Sequence, residues 1–186
     1  MVHFFMPLID PRNRLIDYLR VSVTDRCNLS CAYCKPRGQM KVLPHRDILR
    51  YEEIHRLISV AVPLGISHVR ITGGEPLVRR GVVPFIASLR NITGIEDISV
   101  TTNGVLLEEM ASGLRDAGIS RLNISLDSLD PKRFAGITGS DAWHKVWRGI
   151  EAAERCGFDP IKINVVPVKG VNDDEVVAFA RLTLDR

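Results

Sequence analysis

Short runs of β-branched residues alternate with helical segments along this chain, and this alternation constrains the fold more than any other feature. The runs predict strands at residues 19–23, 69–72, 98–101, 122–126 and 161–166. Apolar residues at helical spacing predict helices over residues 54–62, 84–89, 107–114 and 143–153. A strand followed by a helix, repeated, is typical of a parallel sheet, so we expect an α/β fold.

The strand spacing suits either an open doubly wound sheet or the wall of a barrel. Both architectures place their chemistry at the carboxyl ends of the strands, so the residues that follow each strand are the candidates for function. A last helix is predicted from about Asp173, because Asn172 followed by Glu175 has the spacing of a capping box.

Composition excludes several classes of protein. A chain of 186 residues with 45% hydrophobic and 25% charged residues is typical of one folded domain, and two independent domains would be cramped. The net charge of +3 comes from scattered basic residues and does not indicate nucleic-acid binding. No apolar run reaches about 18 residues, and the first residues lack a basic segment. We therefore expect a cytoplasmic protein without a membrane partner.

Three of the four cysteines, Cys27, Cys31 and Cys34, follow the first predicted strand with C-x3-C-x2-C spacing. A structural zinc site needs four ligands, and Cys156 lies far away at the end of a helix. An iron–sulfur cluster with three cysteine ligands leaves one iron open for reaction. The spacing favours such a cluster, and zinc or unliganded core cysteines are the alternatives.

A second motif, Gly73-Gly74-Glu75-Pro76, ends the second predicted strand. Two glycines let the backbone approach a ligand closely, and the proline stops the strand. Taken alone, the segment is equally typical of a generic turn.

The cysteine loop, with Tyr33 before its third cysteine, and the Gly-Gly-Glu-Pro segment together resemble the radical S-adenosylmethionine (SAM) superfamily. The resemblance implies that Cys27, Cys31 and Cys34 hold a [4Fe-4S] cluster whose unique iron chelates SAM. Reduction then cleaves SAM to methionine and a 5′-deoxyadenosyl radical. The residues implied to contact SAM are Tyr33, through its backbone, Gly74 and Ser125.

The segments around these motifs resemble, more specifically, the N-terminal half of the GTP 3′,8-cyclases. The matching segments are residues 20–28, 70–77, 101–104, 123–127, 162–166 and 169–173. The residues implied to bind GTP are Arg20, Arg70, Thr101 and Lys162. The implied activity is that of a lyase in molybdenum cofactor biosynthesis. It inserts the purine C8 between ribose C2′ and C3′ after hydrogen abstraction at C3′, making (8S)-3′,8-cyclo-7,8-dihydroguanosine 5′-triphosphate. An electron-donor protein is also implied, and a homodimer is allowed.

The residues themselves support the GTP contacts in part. Arg20, Arg70 and Lys162 lie within predicted strands, where one face points to the sheet interior or a barrel lumen. Cations there need an anion, and a triphosphate supplies one. The alternatives are a solvated edge strand or a pairing with a carboxylate of the chain, such as Asp17, Asp25 or Asp127. Thr101 and Ser125, at strand ends, are compatible with hydrogen bonds to a nucleotide.

The family's barrel has a sixth strand and a C-terminal region with a second three-cysteine cluster, whereas only Cys156 follows the first cysteine triad here. We therefore expect residues 1–186 to form one incomplete radical SAM core domain, a partial (βα) barrel that lacks the last strand and the C-terminal region, with no second domain. The alternative functions are an inactive relative that binds a cluster or a nucleotide, and another radical SAM enzyme.

Overall fold

Five parallel strands form one sheet in the computed structural model, which describes residues 8–34 and 42–185. The strands are β1 (Tyr18–Ser22), β2 (His68–Thr72), β3 (Asp97–Thr102), β4 (Arg121–Ser125) and β5 (Ile161–Asn164). The helices are α1 (Tyr51–Ala61), α2 (Val82–Leu89), α3 (Leu107–Asp116), α4 (Pro131–Thr138), α5 (Trp143–Arg155) and α6 (Val176–Asp185). The predicted α/β fold with parallel strands is confirmed.

The strands lie side by side in their sequence order, β1-β2-β3-β4-β5. A doubly wound sheet reverses its order at a switch point, whereas a barrel wall adds each strand beside the one before. The order therefore decides between the two predicted architectures in favour of a barrel wall.

Burial alternates along β1, β2 and β5, and the alternation of side chains gives the sheet two different faces. Apolar strand residues such as Ile71, Val100 and Ile124 are fully buried and pack in one core with helix residues such as Ile58 and Leu114. Burying a side chain of this size contributes roughly 1.5–3 kcal/mol, so this face holds the helices on the sheet.

The opposite face of the sheet is polar. Its residues include Arg20 and Ser22 of β1, Arg70 and Thr72 of β2, Ser99 and Thr101 of β3, Asn123 and Ser125 of β4, and Lys162 and Asn164 of β5. In a barrel wall this is the inner face, and the space that it bounds is called the hollow of the partial barrel below.

The C-terminal segment differs from the prediction at two points. Strand β5 ends at Asn164, and the N–H of Val166 donates to the Asp127 carboxylate. The capping box is wrong: the Asn172 side chain makes no cap hydrogen bond, and α6 begins at Val176 after a 3₁₀ turn at Asp173–Glu175. In the described ranges, no helix is long and apolar enough to cross a membrane.

Candidate functional site

The cysteine loop follows β1 at the carboxyl edge of the sheet and is docked on α4. The backbone N–H groups of Ser30 and Ala32 each donate to a carbonyl of the last two α4 residues at 2.9 Å. Cys27 and Cys31 are half-buried and Cys34 is exposed, all as free thiols. The loop is thus fixed in place with its thiols toward the edge where the chemistry was predicted.

The surroundings of the thiols suit a positively charged group. The Cys27 Sγ accepts hydrogen bonds from the Leu29 N–H at 3.4 Å and from the Asn103 Nδ2 at 3.7 Å, which stabilise a thiolate ligand. Burial raises the pKa of Cys31, and the neighbouring charges of Asp127 and Cys27 raise it further. A nearby cation, such as the iron of a cluster, would favour the thiolate form of Cys31.

A single metal ion and an iron–sulfur cluster require different arrangements of their ligands. Within residues 8–34 and 42–185, no three His, Cys, Asp or Glu side chains converge tightly enough to hold a single metal ion. A cluster makes no such demand, because each cysteine binds a different iron atom. The chemistry of the donor set, three free cysteine thiols on one loop, suits the predicted cluster.

The Gly-Gly-Glu-Pro segment packs against the backbone that leads into the cysteine loop. The Gly74 N–H donates to Thr24 O, and the Glu75 N–H donates to Arg26 O, both at 2.7 Å. A Cβ atom built on Gly74 would lie 2.4 Å from Arg26 O, and one on Gly73 would lie 2.4 Å from Thr24 O. The glycines thus allow two loops of the chain to touch. This reason for the glycines differs from the close approach to a ligand that the sequence suggested.

Glu75 joins three of the loops at this edge. Its side chain is 1% exposed, and its carboxylate accepts from the Leu77 N–H at 3.0 Å, the Thr102 hydroxyl at 2.8 Å and the Asn103 N–H at 2.6 Å. Burial raises the pKa of Glu75, while these three hydrogen bonds oppose the rise. Asn103 in turn donates to Asn28 at 2.7 Å, so β2, β3 and the cysteine loop hold one another.

Tyr33 reaches across the edge to the segment after β4. Its hydroxyl donates to the Asp127 Oδ2 at 2.6 Å, and Asp127 is only 3% exposed. Burial, and then the Asp127 carboxylate, raise the pKa of Tyr33 far above its usual range, so the hydroxyl keeps its proton. Asp127 does not cap α4, whose N-cap is Asp130, nor does it pair with a predicted cation. Ser125 lies half-buried at the end of β4, two residues before Asp127.

The predicted GTP-binding residues fall in two rows on the polar face. Arg20 is in register with Arg70, and Thr101 and Lys162 are both in register with Asn123. The Thr101 row lies two residues nearer the carboxyl ends, which corresponds to roughly 7 Å along the strands. Side chains from four strands therefore line one hollow.

The three predicted GTP-binding cations are not neutralised by nearby carboxylates. In the part of the chain that the structure describes, Arg20, Arg70 and Lys162 form no ion pair, so the predicted alternative of pairing with an aspartate is not found. Arg70 instead donates to the Ser99 hydroxyl at 3.3 Å and lies over the Tyr18 ring. These three cations remain available to an anion.

A comparison with models of protein families shows to which superfamily the chain belongs. The sequence profile of the radical SAM superfamily matches residues 21–183, which include the cysteine loop and the Gly-Gly-Glu-Pro segment. The chain belongs to the radical SAM superfamily. Membership of the superfamily implies a [4Fe-4S] cluster and SAM as cofactors.

Curated relatives within this superfamily are much more similar to the chain. The GTP 3′,8-cyclase of Heliobacterium modesticaldum is 56% identical over 177 residues, covering 95% of this chain and 54% of the relative. The GTP 3′,8-cyclase of Geobacter sulfurreducens is 55% identical over 181 residues, covering 97% of this chain and 56% of the relative. The chain spans about half the length of the curated relatives it matches.

Solved structures share the radical SAM fold at low sequence identity. The structure of anSMEcpe with bound AdoMet has a TM-score of 0.71 and 20% identity, covering 89% of this chain and 48% of that one. Methylornithine synthase has a TM-score of 0.69 and 16% identity, covering 90% of this chain and 49% of that one. These structural similarities confirm the predicted fold.

Three residues of this edge had no role in the sequence-based site: Glu75, Asn103 and Asp127. Each lies within three residues of the end of a strand, which was a usable signal, because parallel strands bring such positions to one edge. Their partners on other loops lie 27 to 94 positions away in the sequence and were not visible from local spacing.

Proposed function

We propose that this chain forms the radical SAM core of a GTP 3′,8-cyclase in molybdenum cofactor biosynthesis. The reaction is the conversion of GTP to (8S)-3′,8-cyclo-7,8-dihydroguanosine 5′-triphosphate, a lyase reaction. The observation that carries this proposal is the identity of about 55% with two curated GTP 3′,8-cyclases over nearly the whole chain. Residues 1–186 are proposed to belong to one radical SAM core domain.

The cofactor contacts are assigned to the loops at the carboxyl edge. Cys27, Cys31 and Cys34 would hold the cluster, and Tyr33, Gly74 and Ser125 would contact SAM. These residues lie in the loops after β1 and β2 and at the end of β4, which supports the assignment. The Tyr33–Asp127 hydrogen bond joins the loop after β1 to the segment after β4, and Glu75 joins the loop after β2 to the segment after β3. When bound, the cluster supplies the electron that cleaves SAM.

The substrate contacts are assigned to the polar face. Arg20 and Arg70 would bind phosphate oxygens as adjacent cations, and Lys162 and Thr101 would bind from the next row. A guanidinium presents paired donors that match phosphate geometry, and these cations have no carboxylate partner among the described residues. Their positions in one hollow would hold the substrate next to the cofactor edge, which is how such enzymes orient a reacting carbon.

The proposal also includes an electron-donor protein, a cytoplasmic location and the possibility of a homodimer. No nucleic-acid or membrane partner is proposed. The scattered basic residues and the net charge of +3 support this choice of partners.

The cofactor assignment is tested by anaerobic reconstitution with iron and sulfide. We expect one oxygen-labile [4Fe-4S] cluster per chain and a change in the spectrum of the reduced cluster when SAM is added. The variant with Cys27→Ser, Cys31→Ser and Cys34→Ser should bind no cluster. The matched control is Cys156→Ser, at the C-terminal end of α5, which should bind a full cluster. Stoichiometric zinc, or a cluster that survives in the triple variant, would contradict the assignment.

The substrate assignment is tested by GTP binding to the reconstituted protein. We expect Arg20→Ala and Arg70→Ala each to weaken binding about ten- to hundred-fold, because a charge-assisted hydrogen bond contributes about 1.5–3 kcal/mol when desolvated. Arg56→Ala, on the exposed side of α1, removes the same charge away from the hollow and should bind like the wild type. Equal effects of all three variants would show that only overall charge matters. Formation of 5′-deoxyadenosine and cyclised nucleotide is assayed in parallel.

A further inference from the structure

The hydrogen bond from Tyr33 to Asp127 connects the cysteine loop to the opposite part of the sheet edge. The donor lies between Cys31 and Cys34, and the acceptor is a carboxylate only 3% exposed. The O···O distance of 2.6 Å is typical of a strong bond between a hydroxyl and an ionised carboxylate. A buried charge so close to the thiols requires a reason.

Asp127 is itself held firmly from the segment after β5. Its Oδ1 accepts from the Val166 N–H at 3.0 Å, so both of its oxygens act as acceptors. The Asn172 amide donates to Asp127 O at 2.6 Å and to Val166 O at 3.0 Å, and its Oδ1 accepts from the Val168 N–H at 2.6 Å. The Asn172 amide thus holds the main chain of Asp127, and the carboxylate cannot turn away from Tyr33 without losing the hydrogen bond from Val166.

We propose that Asp127 is a positioning residue that fixes the cysteine loop through Tyr33 and places a negative charge beside the cluster, which lowers the reduction potential of the cluster. This inference rests on the cluster site proposed above. It assigns Asp127 two separable effects, one that depends on the Tyr33 hydroxyl and one that depends on the charge.

The effect on the potential follows from electrostatics. Reduction adds one negative charge to the cluster, and a fixed negative charge nearby disfavours that addition. The Asp127 carboxylate lies 2.6 Å from the hydroxyl of Tyr33, a residue between the proposed cluster ligands Cys31 and Cys34. Burial keeps water from screening this interaction, so the charge acts more strongly than a surface carboxylate would.

Two substitutions separate the effects. In Asp127→Asn the amide can still accept from Val166 and can donate to the Tyr33 oxygen, so the connection is kept while the charge is lost. In Tyr33→Phe the charge is kept while the connection is lost. Asp130→Asn is the matched control: it removes an exposed carboxylate three residues away and keeps an N-cap for α4.

The midpoint potential of the reconstituted cluster is measured by a redox titration followed by electron paramagnetic resonance. We expect Asp127→Asn to raise the potential and Asp130→Asn to leave it unchanged. Iron release to a chelator is measured on the same samples, together with the thermal unfolding of the cluster-free chains. Tyr33→Phe should release iron about ten-fold faster than wild type, with a smaller change in potential than Asp127→Asn.

The outcomes distinguish the possible failures. If Asp127→Asn and Asp130→Asn have the same potential, the charge has no role. If Tyr33→Phe releases iron at the wild-type rate, the connection has no role. Either result would overturn the corresponding part of this inference. If the wild-type chain binds no cluster, the proposed function fails first.

Discussion

The substitution Gly74→Ala tests the contact between the Gly-Gly-Glu-Pro segment and the loop that leads to Cys27. The added Cβ atom would lie 2.4 Å from Arg26 O and 2.8 Å from Asp25 O. Ordinary van der Waals contact begins near 3.4 Å, so the two backbones would have to separate by about 1 Å. Both neighbours are main-chain atoms, and neither can rotate out of the way as a side chain would.

The size of the effect follows from what this separation breaks. The hydrogen bonds from Gly74 N to Thr24 O and from Glu75 N to Arg26 O, both 2.7 Å, hold the two segments together. Each contributes about 1 kcal/mol net, and overpacking adds roughly 1–3 kcal/mol. We expect the free energy of unfolding to fall by about 3–5 kcal/mol. The iron content after reconstitution should also fall, because the displaced loop carries the first cysteine.

The assay is urea unfolding of the cluster-free chain, followed by iron analysis of the reconstituted protein. Gly136→Ala is the matched control, because Gly136 lies in α4 with nothing within 4 Å of the added Cβ. In a helix this change should stabilise the chain by roughly 0.5–1 kcal/mol. If Gly74→Ala unfolds within about 0.5 kcal/mol of wild type and binds full iron, the packing argument is refuted.

Two further predictions concern neighbours of this contact. Because burial raises the pKa of Glu75 above its ordinary value near 4.5, the folded chain binds this proton more tightly than the unfolded chain does. Stability should therefore fall as the pH rises through the interval between the two pKa values, and Glu75→Gln should lack this slope in urea unfolding at a series of pH values. Asn103→Ala removes a hydrogen bond to the Cys27 sulfur and should lower the midpoint potential of the cluster, opposite to Asp127→Asn. A raised potential in a redox titration would contradict this expectation.

The sequence predicted the candidate site where its residues lie in one loop or at the end of one strand. Cys27, Cys31 and Cys34 share one loop, and their spacing alone indicated a metal group. Sequence alone did not indicate which distant groups those residues would meet. Tyr33 and Asp127, for example, are 94 positions apart and touch only because parallel strands end at one edge. The sequence also did not show why position 74 is a glycine, because the atoms that exclude a side chain there belong to another loop.

Local patterns failed where a tertiary contact competed with a local one. Asn172 and Glu175 have the spacing of a capping box, yet the Asn172 amide bonds to Asp127 and Val166. The carbonyls of Asp127 and Val166, on two loops, need donors, and in the folded chain the amide is close enough to satisfy both. Strand β5 ends early for a related reason, because the Val166 N–H donates to a carboxylate and not to a neighbouring strand.

The amino-acid sequence by itself determined the α/β fold, the parallel strands and the residue types that suit a cluster and an anion. These properties depend on periodicity and on spacing within single elements, which are local. Only the tertiary structure decided that the sheet is a barrel wall. It also placed the Arg20 row beside the Thr101 row and made Glu75 and Asp127 the buried connections of the site. Strand order, register and buried hydrogen bonds depend on which distant segments meet, and that is settled only when the helices bury one face of the sheet and leave the other open.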